Sequence, residues 1–368
     1  MRFRVPDYKG KAGIISLSFD EKTKQDLLED ALDFWFVMED QIIAYPEGVI
    51  ISKDPELIHT ILHGNNYDIY DIQEDGMGYC CYENGSVETT FFITAHCNSN
   101  CIMCPSSAYS RTKGTGFDFG KLMKIASHMP EDVPHITITG GEPFLAGKQI
   151  FELFAFMTKK FQRTDFLLLT NGRAFVLEEY CRKLKETLPA QCLIGIPIHG
   201  STETLHDHIT MAEGSFRQTM MGIKRLVHLG LRVEVRIVVS WLNVGDLEAL
   251  SDLIIKELSG VEIVTIMAME MTGSAYINKD KVWIPYKEAF PSVKKAAMAL
   301  IRAGIDTRFY NLPLCTVSKD LWTLCEKSIS KDKVRFADQC DHCSMRTACG
   351  GLFAGTINLE KEELEPIK

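Results

Sequence analysis

The sequence predicts an α/β fold built on a parallel sheet, and two features carry that expectation. From residue 89 onward, short β-rich apolar runs alternate with longer stretches whose apolar residues recur at helical spacing. In addition, each polar or glycine-rich motif of the chain follows one of those runs, where parallel sheets hold their ligands, outside the carboxyl ends of the strands.

The expected strands are FFITA (91–95), HITIT (135–139), DFLLLT (165–170), CLIGIPI (192–198), RVEVRIVV (232–239) and VEIVTIMAM (261–269). Between them lie amphipathic stretches at 119–129, 146–161, 175–188, 216–229 and 246–258. Leu122, Ile125, Ala126 and Met129, for example, fall on one helical face. Strand–helix alternation of this kind implies right-handed crossovers. The first 88 residues read differently, with a helix expected over Thr23–Met38, strands in QIIAYP and GVIIS, and a short helix over Pro55–His63. This α+β module carries no chemical motif. It is expected to pack against the rest, with peptide docking by strand addition as the sharper alternative.

The chain has 368 residues, 46% hydrophobic and 24% charged, enough for a large core. Acidic groups outnumber basic ones 49 to 40, for a formal charge of -9, which argues against nucleic acid as a partner. No run of eighteen apolar residues and no signal-peptide pattern occurs, so a cytoplasmic protein without membrane association is expected. In such a protein twelve cysteines point to metal binding or catalysis rather than disulfides. Seven of them cluster, as Cys97/Cys101/Cys104 and Cys315/Cys340/Cys343/Cys349. Cys181 and Cys192 fall in apolar patterns and read as core.

Cys97, Cys101 and Cys104 form C-x3-C-x2-C directly after the first strand. Three thiolates so close make a half-cage for a metal centre, and an iron–sulfur cube held by three cysteines leaves one iron open to an outside ligand. Half of a zinc site is the competing reading, with His96 as the nearest fourth ligand. The loop resembles the cluster loop of radical S-adenosylmethionine (SAM) enzymes. That resemblance implies a partial (β/α)6 TIM-like barrel over 89–304, a 4Fe–4S cluster whose open iron chelates SAM, and reductive cleavage of SAM to a 5'-deoxyadenosyl radical. The family usually has an aromatic residue where this chain has Met103.

Further motifs extend the resemblance around the expected barrel mouth. Gly140-Gly141-Glu142-Pro143 resembles the family's GGEP turn, whose backbone and Glu receive the SAM amino group; paired glycines let backbone come close to a ligand. Thr170-Asn171-Gly172 follows the third strand and is expected to line the site. His199 and Ser201 follow the fourth, in a segment resembling the family's ribose-contacting stretch. On the fifth strand Glu234 and Arg236 share a face, so Arg236 either meets the SAM carboxylate or pairs internally with Glu234. Met267, in the Met-rich edge formed by sixth-strand residues Met267 to Met271, is the candidate adenine contact.

Beyond the barrel, Cys340-x2-Cys343-x5-Cys349 resembles the auxiliary-cluster segment of SPASM and Twitch extensions, placed here at 305–368. The full pattern has a further Cys where this chain has Phe353. One auxiliary 4Fe–4S cluster is therefore expected, with Cys315 as fourth ligand, Cys325 as the substitute and zinc as the alternative metal. The elements EMTGSAY (270–276), YNLPLC (310–315) and DQCDHCSMRTACGG resemble the C-type radical SAM maturase of the His-Xaa-Ser system. That implies a ribosomally made peptide or small protein as substrate, a sister maturase as partner, and an electron donor such as flavodoxin or ferredoxin. A small-molecule substrate and a non-catalytic metal-stabilised partner are the competing functions.

Overall fold

A computed structural model describes residues 2–368. The N-terminal module is a seven-stranded sheet of β1 (Arg2–Arg4), β2 (Gly13–Ser18), β3 (Phe34–Val37), β4 (Ile42–Tyr45), β5 (Val49–Ser52), β6 (Ile69–Ile72) and β7 (Met77–Tyr82). Its order is β1-β7-β6-β2-β3-β4-β5. Helix α1 (Glu21–Glu29) joins β2 to β3, which pair in parallel, while the neighbouring pairs run antiparallel. Asp20 caps α1 by accepting from the Thr23 amide at 2.8 Å.

Alternation along β3 divides the module's core. Trp35 and Val37 join Leu17, Tyr70 and the Leu57, Ile58 and Ile61 of α2 (Pro55–Ile61), while Phe34 and Phe36 pack with Leu27 of α1. The helix expected over Thr23–Met38 is thus corrected. It stops at Glu29, Ala31 turns the chain at a φ of 53°, and the aromatic run FWFV extends as β3.

The second sheet has eight strands: β8 (Thr89–Phe92), β9 (His135–Thr139), β10 (Asp165–Leu169), β11 (Leu193–Pro197), β12 (Arg232–Val238), β13 (Ile263–Met267), β14 (Asp306–Tyr310) and β15 (Cys325–Glu326). They follow one another in strict chain order, and the pairs from β10/β11 to β14/β15 are parallel. The sheet is an open, curled half-barrel, since its first and last strands are edges. It runs two strands past the expected six. Thr307 and Phe309 of β14 are buried, but Asp306 and Arg308 between them hid the strand from an apolar-run reading.

The connecting helices are α3 (Ala108–Lys113), α4 (Phe119–His128), α5 (Gln149–Lys160), α6 (Glu178–Thr187), α7 (Glu203–Thr210), α8 (Ser215–His228), α9 (Leu247–Glu257), α10 (Gly273–Ile277), α11 (Lys279–Val282) and α12 (Tyr286–Arg302). After β15 come the two-residue pair β16 (Val334–Arg335) and β17 (Leu352–Phe353), then α13 (Ile357–Glu360). By internal contacts the chain forms two compact units, one of residues 1–91, 118–136 and 152–165, the other of 92–117, 137–151 and 166–368. Both cysteine clusters lie in the second. Among the described residues no helix is long and apolar enough to cross a membrane.

Candidate functional site

The chain leaves β8 through Ile93–His96 and turns into the cysteine loop. Gly141 donates its amide to the Thr94 carbonyl at 2.7 Å, Glu142 to that of His96 at 2.8 Å, and Ala95 to that of Thr115 at 2.8 Å. Within the loop, Asn100 and Ile102 donate to the Thr210 and Ile209 carbonyls at the end of α7, at 3.0 and 2.9 Å. Arg173 reaches the Asn98 carbonyl at 2.7 Å and the Ser99 hydroxyl at 3.0 Å, and the Asn171 amide meets Asn98 Oδ1 at 2.7 Å. On the far side, Ala275 donates to the Cys104 carbonyl at 3.1 Å, Thr272 Oγ1 to Pro105 at 3.1 Å, and Asn278 Nδ2 to Ile102 at 3.1 Å. Gly273 adopts a φ of 54°, and any Cβ there would strike the Pro105 carbonyl. The loop is thus stitched from several sides by the protein itself.

Cys97, Cys101 and Cys104 are each partly buried. Burial raises the Cys97 and Cys101 thiols above the usual range, Cys101 to about 12, and the neighbouring loop thiols push in the same direction. As ligands they must be thiolates, so loading a metal centre here releases protons. The Ser99 amide already points at Cys97 Sγ from 3.4 Å, the arrangement that favours a thiolate. Among the described residues no three His, Cys, Asp or Glu side chains converge as ligands of a single ion. The fit to an iron–sulfur cube rests instead on the thiols' mutual influence and the amide-to-sulfur contact.

The glycine pair also answers to a constraint within the protein itself. A Cβ on Gly140 would lie 2.5 Å from the Thr94 carbonyl oxygen, and one on Gly141 would strike the Ala95 and His96 carbonyl oxygens. These positions let the turn lie against the protein's own cysteine-loop backbone. Glu142 is 1% exposed, and its carboxylate accepts from the Phe144 amide at 3.1 Å, Thr170 Oγ1 at 2.8 Å and the Asn171 amide at 2.7 Å. Burial raises its carboxyl pKa, which those bonds oppose. Glu142 therefore ties the turn after β9 to the turn after β10. Pro143 opens the short 3-10 turn Pro143–Ala146.

Met103 is 5% exposed and packs with Ile209, Met269 and Met271, while Met267 is 8% exposed in the core; neither faces an open surface. His199 is buried beside His206, its amide donating to His206 Nδ1 at 3.2 Å with the rings 5.5 Å apart. Burial pushes its pKa down to about 3, helped by His206, which burial lowers to about 4. Nδ1 of His199 has no partner among the described residues. Ser201 gives its amide and its hydroxyl to Asp246, both at 2.6 Å. Arg236 pairs with Glu234 at a long 3.8 Å, with Tyr310 5.7 Å away; Glu234 takes its close bond from Thr265 at 2.5 Å.

Four cysteines line one recess near the chain's end: Cys315, Cys340, Cys343 and Cys349. Cys325 is not among its lining residues, although Cys349 acts on it electrostatically. Backbone amides again point at sulfur: Leu314 and Gly351 at Cys349 from 3.5 and 3.4 Å, and Ile367 at Cys343 from 3.4 Å. Burial drives the Cys315 thiol to about 11, with Cys349 and Cys340 adding to the effect. Four sulfurs around a mostly apolar recess suit a four-iron cube or zinc.

Sequence reasoning missed Arg111 and the segment 272–278, which meet at the cysteine loop. Arg111 donates to the Ser106 carbonyl, to Asn100 Oδ1 and, at 3.1 Å, to Ser274 Oγ. The quoted run EMTGSAY was the available signal for 272–278; a lone Arg in a Ser/Thr-rich stretch gives none.

Residues 91–254 match the radical SAM superfamily. Over 170 residues, 45% of this chain and 40% of the relative, the protein is 28% identical to Fe-coproporphyrin III synthase of Methanosarcina barkeri. Over 162 residues, 44% of this chain and 35% of the relative, it is 28% identical to the antilisterial bacteriocin subtilosin biosynthesis protein AlbA of Bacillus subtilis. The chain thus spans well under half the length of these relatives. Among solved structures, SuiB of Streptococcus suis bound to its precursor peptide SuiA aligns with 62% of this chain and 49% of its own, at a TM-score of 0.49 and 11% identity.

Proposed function

The chain carries a radical SAM domain, and from that premise we propose that it is a peptide-modifying radical SAM enzyme of the His-Xaa-Ser maturation type. The observation that carries the enzymatic part is the C-x3-C-x2-C loop, placed just past β8 and offering three thiols where a cube needs four ligands. When bound, a 4Fe–4S cluster and SAM supply a reducing electron and a 5'-deoxyadenosyl radical that abstracts hydrogen from substrate. The residues' part is positional. Cys97, Cys101 and Cys104 would hold the cluster, and Glu142 keeps the Gly140–Gly141 turn seated on the cysteine loop. Thr170 and Asn171 brace that turn, and Arg236 offers a guanidinium with room for a second partner.

Cys315, Cys340, Cys343 and Cys349 would hold one auxiliary 4Fe–4S cluster that binds the peptide or takes up the product electron. The substrate is then a ribosomally made peptide with His-Xaa-Ser repeats, matured in the cytoplasm beside a sister maturase and reduced by a flavodoxin or ferredoxin. Support for the peptide comes from the cysteine-rich extension and from the relative AlbA, a bacteriocin biosynthesis protein. The relative from Methanosarcina favours a second reading, a tetrapyrrole-like small molecule. Anaerobic turnover with a side-chain-deuterated His-Xaa-Ser peptide decides. Deuterium in the released 5'-deoxyadenosine is expected, and its absence alongside label transfer from a porphyrin would overturn the peptide assignment.

A further inference from the structure

Arg111 is 4% exposed, and no carboxylate among the described residues pairs with it. A buried guanidinium without a counter-charge is costly unless something else supplies one. Its hydrogen bonds go to neutral groups on either side of the cysteine loop: Asn100, which precedes Cys101, and Ser106, two residues past Cys104. Ser274 closes the set from α10, and Nε is left without a partner.

We propose that Arg111 is a positioning and charge-compensating residue for the cluster held by Cys97, Cys101 and Cys104, setting its reduction potential as well as the shape of its loop. Three thiolates around a cube make an anionic site, and each reduction takes one electron from a low-potential donor of flavodoxin or ferredoxin type, adding one negative charge. No proton or bond change accompanies that step. A fixed positive charge in a low-dielectric surrounding stabilises the more anionic state, and cluster potentials respond to net charge and solvent exposure. The guanidinium's missing counter-ion is, on this view, the loaded site itself. The inference rests on the cluster assignment above.

The test is a potentiometric titration of the reconstituted protein, followed by electron paramagnetic resonance of the reduced signal that responds to added SAM. Arg111→Gln keeps hydrogen-bonding capacity and removes the charge; its midpoint potential should fall by at least about 59 mV, a tenfold loss in the one-electron equilibrium. Arg111→Lys keeps the charge and should shift by less than a third of that. Equal potentials in wild type and Arg111→Gln, or equal shifts in both variants, would overturn the role. Should Arg111→Gln fail to retain iron, Arg111→His decides within one folded protein. Its potential should fall more steeply than the wild type's as pH rises through about 6.5, where an imidazole loses its charge. Parallel curves would overturn the proposal. A wild-type protein with no SAM-responsive signal would sink the cluster assignment and this role together, whereas a normal signal with an unmoved potential sinks the role alone.

Discussion

The two cysteine sites of this protein are built in opposite ways. The Cys97 loop sits among regular elements and receives backbone or side-chain bonds from the turns after β9 and β10, from α7 and from 272–278. The Cys315 recess is formed by short 3-10 turns and the two-residue strands β16 and β17, with Trp322 donating to the Leu314 and Val317 carbonyls at 3.0 Å as a main tie. A site framed by a sheet is shaped by the fold, whereas one framed by turns and two-residue strands depends on scattered local ties, so any metal bound there would contribute its binding energy to folding.

The largest effect should come from replacing Cys97, Cys101 and Cys104 together with Ala. Formation of 5'-deoxyadenosine should fall below detection while iron per chain drops from about eight to about four. Undiminished turnover would break the division of labour between the sites. Next is the fourth ligand of the recess. Cys315→Ser should remove the second iron complement and expose 313–353 to limited proteolysis, whereas Cys325→Ser should keep both; equal iron contents would erase the distinction.

Glycine substitutions sharpen the contrast in stability. Gly141→Ala must push the cysteine-loop backbone away and should destabilise by about 3 kcal/mol, the upper range for overpacking. Gly350→Ala, whose Cβ would find nothing nearer than 3.4 Å, should stay within about 0.5 kcal/mol in denaturant melts.

The effect that needs no change of sequence to be seen is a pH dependence. Glu360 of α13 is fully buried, accepts from the Tyr286 amide at 3.2 Å, and burial raises its pKa from 4.5 to about 7. The folded state then binds a proton that the unfolded state has released, so this group's stabilisation is lost as pH rises from about 4.5 towards 7. His199 and His206 work with the opposite sign. Their lowered pKa values mean that stability is lost as pH falls from 6.5 towards about 3 for His199 and about 4 for His206. Glu360→Gln should flatten the loss on the alkaline side and leave the acid side unchanged, as read by melting temperature against pH.

Much of the half-barrel was legible because β9, β10, β11 and β13 are rich in apolar and β-branched residues, and because β12 is long enough for the buried Val233, Val235 and Ile237 to stand out between its charged residues. The strand β14 was not, because only Thr307 and Phe309 of its five residues are buried, too few to stand out beside Asp306 and Arg308. Strand β3 was masked by the helix-like pattern that precedes it. Within the candidate site, the cysteine spacing and the glycine pair were visible, but the reason for the glycines was not, since their neighbours Thr94 to His96 lie some 45 residues earlier in the chain. Arg111 was invisible for a similar reason: its partner Ser274 is 163 residues away.

Thr356, near the chain's end, donates to the Met269 carbonyl at 3.2 Å and accepts from the Met271 amide at 3.3 Å, and Thr272 in turn holds Pro105. Anyone who trims this protein to the half-barrel by cutting before residue 305 would therefore leave the 269–272 strap without its anchor. The segment beyond residue 305 cannot be exchanged like a cassette; swapping it for that of a relative would mean re-engineering the strap as well.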